Sequence, residues 1–178
     1  MKRPRHFNLL ARVLHWSMAL AILAMLFVGA GMVVTLRYRE QLLDLHRPLG
    51  IAILLLAIVR LVNRLTRPTP ALPVDLPAIQ KFAAHASHWL LYGLMLAMPV
   101  IGWAMLSAGG YPITMFGGVH LPAILPHSPV VYGMLRPLHG VLAYVLFLTI
   151  LAHLGAALYH AWVRRDEVFG QMAKGDSP

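Results

Sequence analysis

Cysteine is absent from all 178 residues. That excludes disulfide staples, thiolate metal sites, iron–sulfur clusters and covalent haem attachment through a C-x-x-C-H motif. Charge is nearly as scarce. Charged residues make up 12% of the chain, against about 25% in an average soluble domain, too few to coat an ordinary globule or to sustain a disordered tail. Acids are the scarcest of all: Glu40, Asp44, Asp75, Asp166, Glu167 and Asp176, every one between or outside the long apolar runs. The net charge of +9 could suggest nucleic acid, but the basic residues flank hydrophobic segments instead of forming a stripe on a soluble face, so no nucleic-acid partner is expected.

What is there is apolar length. Hydrophobic residues make up 59% of the chain, with a mean hydropathy of +0.69. Four runs approach or exceed the roughly 20 residues that cross a bilayer: about Val13 to Val34, Leu45 to Val62, Ala84 to Leu106 and Leu138 to Val163. The first is too long, and lacks the small-residue end, for a cleavable signal peptide. The expected fold is an all-α integral membrane four-helix bundle, one domain over residues 1–178.

Orientation follows from Lys and Arg in the short flanks. One side collects Lys2, Arg3, Arg5, Arg12, Arg60, Arg64, Arg67, Lys81, Arg164, Arg165 and Lys174; the other has only Arg37, Arg39, Arg47 and Arg136. Both termini are expected to be cytoplasmic. Trp16, Trp89 and Trp162 fall near the inner boundary and Trp103 near the outer one, as in an aromatic belt. The proline-rich stretch Arg67 to Pro77 reads as an extended inner linker. Ser107 to Arg136 reads as an outer loop with room for a short interfacial helix, and Pro99 as a kink in the third span.

The chain has ten histidines, many inside or at the edge of the apolar runs, where an ionisable side chain is costly and points to function. His139 and His153 are fourteen residues apart, which returns the helix to within about 40° of one face and separates them by about 21 Å along the axis. His46 opens the second span at the depth of His139, and His15 starts the first near the depth of His153. Two imidazole pairs at two depths would suit two bis-imidazole haems held between facing helices. A zinc site would gather three or four ligands at one depth, and the ten methionines read as packing. At the inner depth His88, near His85, competes with His15, and depth alone does not choose between them.

With His15-Trp16 in the first span, His46, Gly50 and VRLVNRLTRPTP in the second, AHASHWLLYGL and AMPVIG in the third, and His139 and His153 in the fourth, the chain resembles the bacterial cytochrome b561 family. These are four-helix dihaem b proteins of the inner membrane, and the likeness covers nearly the whole length. The cytochrome b subunits of membrane hydrogenases and formate dehydrogenases share a similar haem-ligand layout. The resemblance implies an inner haem b on His15 and His153 and an outer haem b on His46 and His139. It also implies oxidation of superoxide at the periplasmic side and reduction of ubiquinone at the inner side, an oxidoreductase activity.

Bis-histidine ligation leaves iron no open position, so electron transfer is expected instead of oxygen binding. Arg37, Arg39, Arg47 and Arg136 are candidates for haem propionates, lipid headgroups or anion steering, with Arg47 and Arg136 the best placed for propionates. For the quinone, His160 lies seven residues beyond His153 on nearly the same face, with His88 or Ser87 able to complete the site. The alternative function is a cytochrome b anchor exchanging electrons between the quinone pool and a separate periplasmic dehydrogenase or reductase. A haem-free metal permease is a third reading.

Overall fold

The computed structural model describes residues 4–174; Lys2, Arg3 and Asp176 of the charge pattern lie outside them. Four long helices run Leu9–Val34 (α1), Arg39–Thr66 (α2), Ala78–Ala108 (α3) and Pro129–Leu158 (α4). All four are long and apolar enough to cross a membrane. At 1.5 Å per residue the shortest, 26 residues, is about 39 Å long, comfortably more than a hydrocarbon core of about 30 Å. The protein is an all-α membrane bundle.

The helices outrun the apolar windows because capping sits in the polar flanks. Asn8 accepts from the Ala11 amide at 2.8 Å and starts α1 four residues before Val13. Ser128 caps α4, followed by Pro129 at the first helical position, where its missing N–H costs nothing. The expected loop from Ser107 to Arg136 is therefore shorter, and Arg136 lies two turns inside α4. Glu40 and Asp44 likewise belong to the first turns of α2. The α3 helix continues through Pro99, as α2 does through Pro48 and α4 through Pro137.

The far loop holds a two-residue antiparallel hairpin, β1 (Ile113–Thr114) with β2 (His120–Leu121), and its only helical piece among the described residues is a three-residue 3-10 turn, Phe116–Gly118, between the strands. Pro112 and Pro122 bracket it, and Gly118 turns at φ 79°, a conformation that suits glycine. Ser107 clamps the loop to α3: its hydroxyl donates to the Trp103 carbonyl at 2.9 Å and accepts from the Ile124 amide at 3.1 Å.

A second departure lies at the other end. The α4 helix widens into a π-helical turn over Tyr159–Arg164, reverses at Arg165, and leads into a short helix, α5 (Glu167–Ala173), that no apolar run announces. This hook folds under the bundle. The Phe7 amide donates to the Gln171 carbonyl at 3.0 Å, the Trp16 indole to the Met172 carbonyl at 3.4 Å, and Gln171 to the Ala71 carbonyl at 3.3 Å. Both chain ends and the Arg67–Pro77 linker thus share one end of the bundle.

Packing is uneven. The α1 helix lies along α2, α3 along α4, and α2 against α3. The core at mid-height joins Met18 and Ile22, Ile53 and Ala57, Tyr92, Leu94 and Met95, and Leu146. Leu146 is the only buried residue of α4 among the described residues. Large apolar side chains such as Leu20, Phe27, Leu55 and Leu148 face outward, as expected of helices solvated by lipid.

Candidate functional site

The helices that approach α4 least closely, α1 and α2, are the ones whose histidines meet its own. At the end bearing the termini, the ring centres of His15 (α1) and His153 (α4) are 6.2 Å apart with planes inclined at 66°. At the far end, His46 (α2) and His139 (α4) are 6.2 Å apart at 67°. The two pairs have almost the same geometry at opposite ends of one helix.

That spacing has a chemical meaning. With a metal about 2.0 Å from each imidazole nitrogen and the ring centre roughly 1.1 Å beyond it, two rings on opposite sides of one metal lie roughly 6.2 Å apart. His88 also faces His153, at 5.5 Å, closer than such a sandwich allows. The surroundings fit too. The Nδ1 atoms of His46 and His139 are both buried with no hydrogen-bond partner in bonding geometry. Gly29 on α1 and Gly102 on α3 line the far pair: a Cβ on Gly29 would lie 3.7 Å from the His46 ring and one on Gly102 3.4 Å from the His139 ring. Small residues leave the space that a flat macrocycle needs.

The arginines divide sharply. Arg47, beside His46, is mostly buried; it pairs loosely with Asp44 at 3.6 Å, and its Nε has no partner. Arg37 lies over the Tyr38 ring at 5.3 Å, and Arg39 and Arg136 are exposed. Two arginines at the terminal end were weighed only as topology signals in the sequence. Arg60 on α2 reaches into the bundle, donating to the Ala11 carbonyl at 2.9 Å and to His15 Nδ1 at 3.0 Å. Arg12, one turn from His15, has a buried Nε without a partner. Their depth beside His15 was the available signal.

His160 falls in the π-helical turn, and its Nδ1 lies 2.7 Å from Asp166 Oδ2. Ser87 is half-buried on α3 with its hydroxyl bonded to the Ala84 carbonyl at 3.1 Å. His88 is turned toward His153, and no hydrogen bond or ring contact joins His88 or Ser87 to His160 among the described residues. His85 donates from Nδ1 to the Lys81 carbonyl at 2.7 Å. Among the described residues no three histidine or carboxylate groups converge to hold a free metal ion.

A four-helix membrane bundle with a histidine pair at each end matches a known profile, described as prokaryotic cytochrome b561, over residues 6–175. The chain belongs to the prokaryotic cytochrome b561 family. It is 27% identical over 173 residues to cytochrome b561 homolog 2 of Escherichia coli (strain K12), covering 95% of this chain and 92% of that one. It is 34% identical over 140 residues to the probable superoxide oxidase CybB of Yersinia pestis, covering 76% of each. With cytochrome b561 homolog 1 of E. coli (strain K12) the identity is 29% over 129 residues, covering 72% and 73%. Membership makes the chain a haem b protein of bacterial membranes that transfers electrons.

Proposed function

We propose that this cytochrome b561 is a dihaem oxidoreductase of the bacterial inner membrane that oxidises superoxide on the periplasmic side and reduces ubiquinone near the cytoplasmic side. The observation that carries the reading is the matched pair of imidazole sandwiches, 6.2 Å apart at 66° and 67°, at the two ends of α4. His15 and His153 would hold one haem and His46 and His139 the other. Haem held there would supply a one-electron couple with no position open to oxygen, suited to passing single electrons across the membrane.

The chain's residues do the rest. Leu146 and its mid-height neighbours keep water from the space between the pairs, preserving a dry surround. Arg60, held by the Ala11 carbonyl and His15 Nδ1, is a cation reaching into the bundle beside this pair, where it could meet an anionic group of the haem. Arg47, with an unpartnered buried Nε, is the corresponding cation at the far end. Exposed Arg37, Arg39 and Arg136 make that end cationic and raise the encounter rate of a small anion. The basic excess at the opposite end, termini included, supports a cytoplasmic placement. His160, at the edge of that end, is the contact for a quinone oxygen, with His88 and Ser87 as further candidates. The name of the Yersinia relative, probable superoxide oxidase, supports superoxide as donor.

The test is rapid mixing of superoxide with the oxidised, haem-loaded protein. The expected result is reduction of the b-type spectrum, followed by reoxidation when ubiquinone is added. No haem reduction would reject superoxide as the donor.

A further inference from the structure

The end of α4 is shaped in a way that a plain helix stop does not need. The backbone widens over Tyr159–Arg164, a geometry that concentrates at functional sites. Arg165 then takes φ 53°, a left-handed conformation that a non-glycine residue adopts only at a cost. The amides of Arg165 and Asp166 both return to the His160 carbonyl. Together these bring the Asp166 carboxylate back against the His160 ring, with Nδ1–H donating to Oδ2 at 2.7 Å and the side chains only 13% and 16% exposed.

Every oxygen of that carboxylate is held. Arg164 Nε donates to Oδ2 at 3.0 Å and the Val168 amide to Oδ1 at 3.2 Å. Arg164 in turn reaches Asp75 on the linker at 2.6 Å. Partial burial pushes the Asp166 carboxyl up, but the bonds from His160, Arg164 and Val168 outweigh it and hold the group below its ordinary value. It is an ionised acceptor, and an acceptor on Nδ1 fixes the tautomer: the proton is on Nδ1 and Nε2 is the free nitrogen.

Resting on the reading of His160 as the quinone contact, we propose that Asp166 is a positioning residue for quinone reduction. It aims His160 Nε2 at the quinone oxygen and stabilises the imidazolium that donates from there. In each cycle two superoxide anions are oxidised to two O2, and the quinone takes up those two electrons and two protons to become quinol. Each proton leaves His160 Nε2 and is replaced from cytoplasmic water at the exposed edge of the pair. The sequence carries this only as an Asp six residues after a His, beyond a helix end.

The experiment uses the full-length haem-loaded protein in liposomes with a short-chain ubiquinone, comparing Asp166→Asn, Asp166→Glu and His160→Ala. Asn keeps an oxygen for the Val168 amide, so the cap survives. Asp166→Asn is expected to keep the haem spectrum and the rate of haem reduction by superoxide while lowering kcat for quinone reduction about tenfold. The quinone KM should change by less than about twofold, the solvent deuterium effect on kcat should rise, and Asp166→Glu should recover most of the rate. If Asp166→Asn turns over at the parent rate while His160→Ala is slow, the role of Asp166 is rejected and the quinone site stands. If His160→Ala itself reduces quinone normally, both fall. Loss of haem from Asp166→Asn would show a structural role and reject the proposal.

Discussion

Gly102 is the residue where the far histidine pair is easiest to perturb without touching a histidine. A Cβ placed there meets the His139 ring at 3.4 Å, an ordinary contact, so Gly102→Ala should keep both haems. Gly102→Leu puts a branched side chain into the space between the rings and should cut haem content from two equivalents to about one, measured as haem per protein. His88 tests the other end. Its ring is 5.5 Å from His153, too close for a shared iron, so His88→Ala should retain both haems while His15→Ala loses one. That His139 and His153 share one face at two depths, with His46 matching the far one, was legible because helical periodicity fixes face and depth together; at the other end depth left His15 and His88 both open, and only the family resemblance pointed to His15. Arg60 was not legible as a partner of His15. A buried arginine and a topology-setting arginine are the same letter, and a separation of 45 positions from His15 hides the contact.

At the scale of elements, the four long helices were readable because apolar length is a strong signal. Their ends were not, because Asn8 and Ser128 extend them into polar sequence through caps. The hook was the least readable element. A seven-residue helix buries too little to leave a periodic pattern, and it is held by hydrogen bonds to distant segments: Phe7 and Trp16 donate to its carbonyls, and Gln171 donates to that of Ala71. Asp166 both caps α5 and ties it to His160 and Arg164, which gives the hook a pH dependence. With the carboxyl held below its ordinary value, its stabilisation is fully present above about pH 4 and is lost as pH falls through the folded-state value. Hydrogen exchange over residues 165–174, corrected for the intrinsic pH effect, should show the hook opening in acid while α1–α4 stay protected. Uniform protection across that range would contradict it.

For the whole molecule, one bundle holds two similar sites apart by the length of one helix, with a cationic surface at each end. The proposed orientation, which the bias of Lys and Arg supports, has the termini in the cytoplasm. A fluorescent reporter that matures only in the cytoplasm should therefore glow when fused to the C-terminus, and a periplasmic phosphatase at the same position should be inactive. The most direct measurement of the central claim is the ratio of haem b to polypeptide, read from the pyridine haemochrome of the purified protein, in the parent and in His139→Ala and His153→Ala. Two haems in the parent, one in each variant, and six-coordinate low-spin spectra throughout are the expected result. A single haem in the parent, or a variant that keeps both, would contradict it.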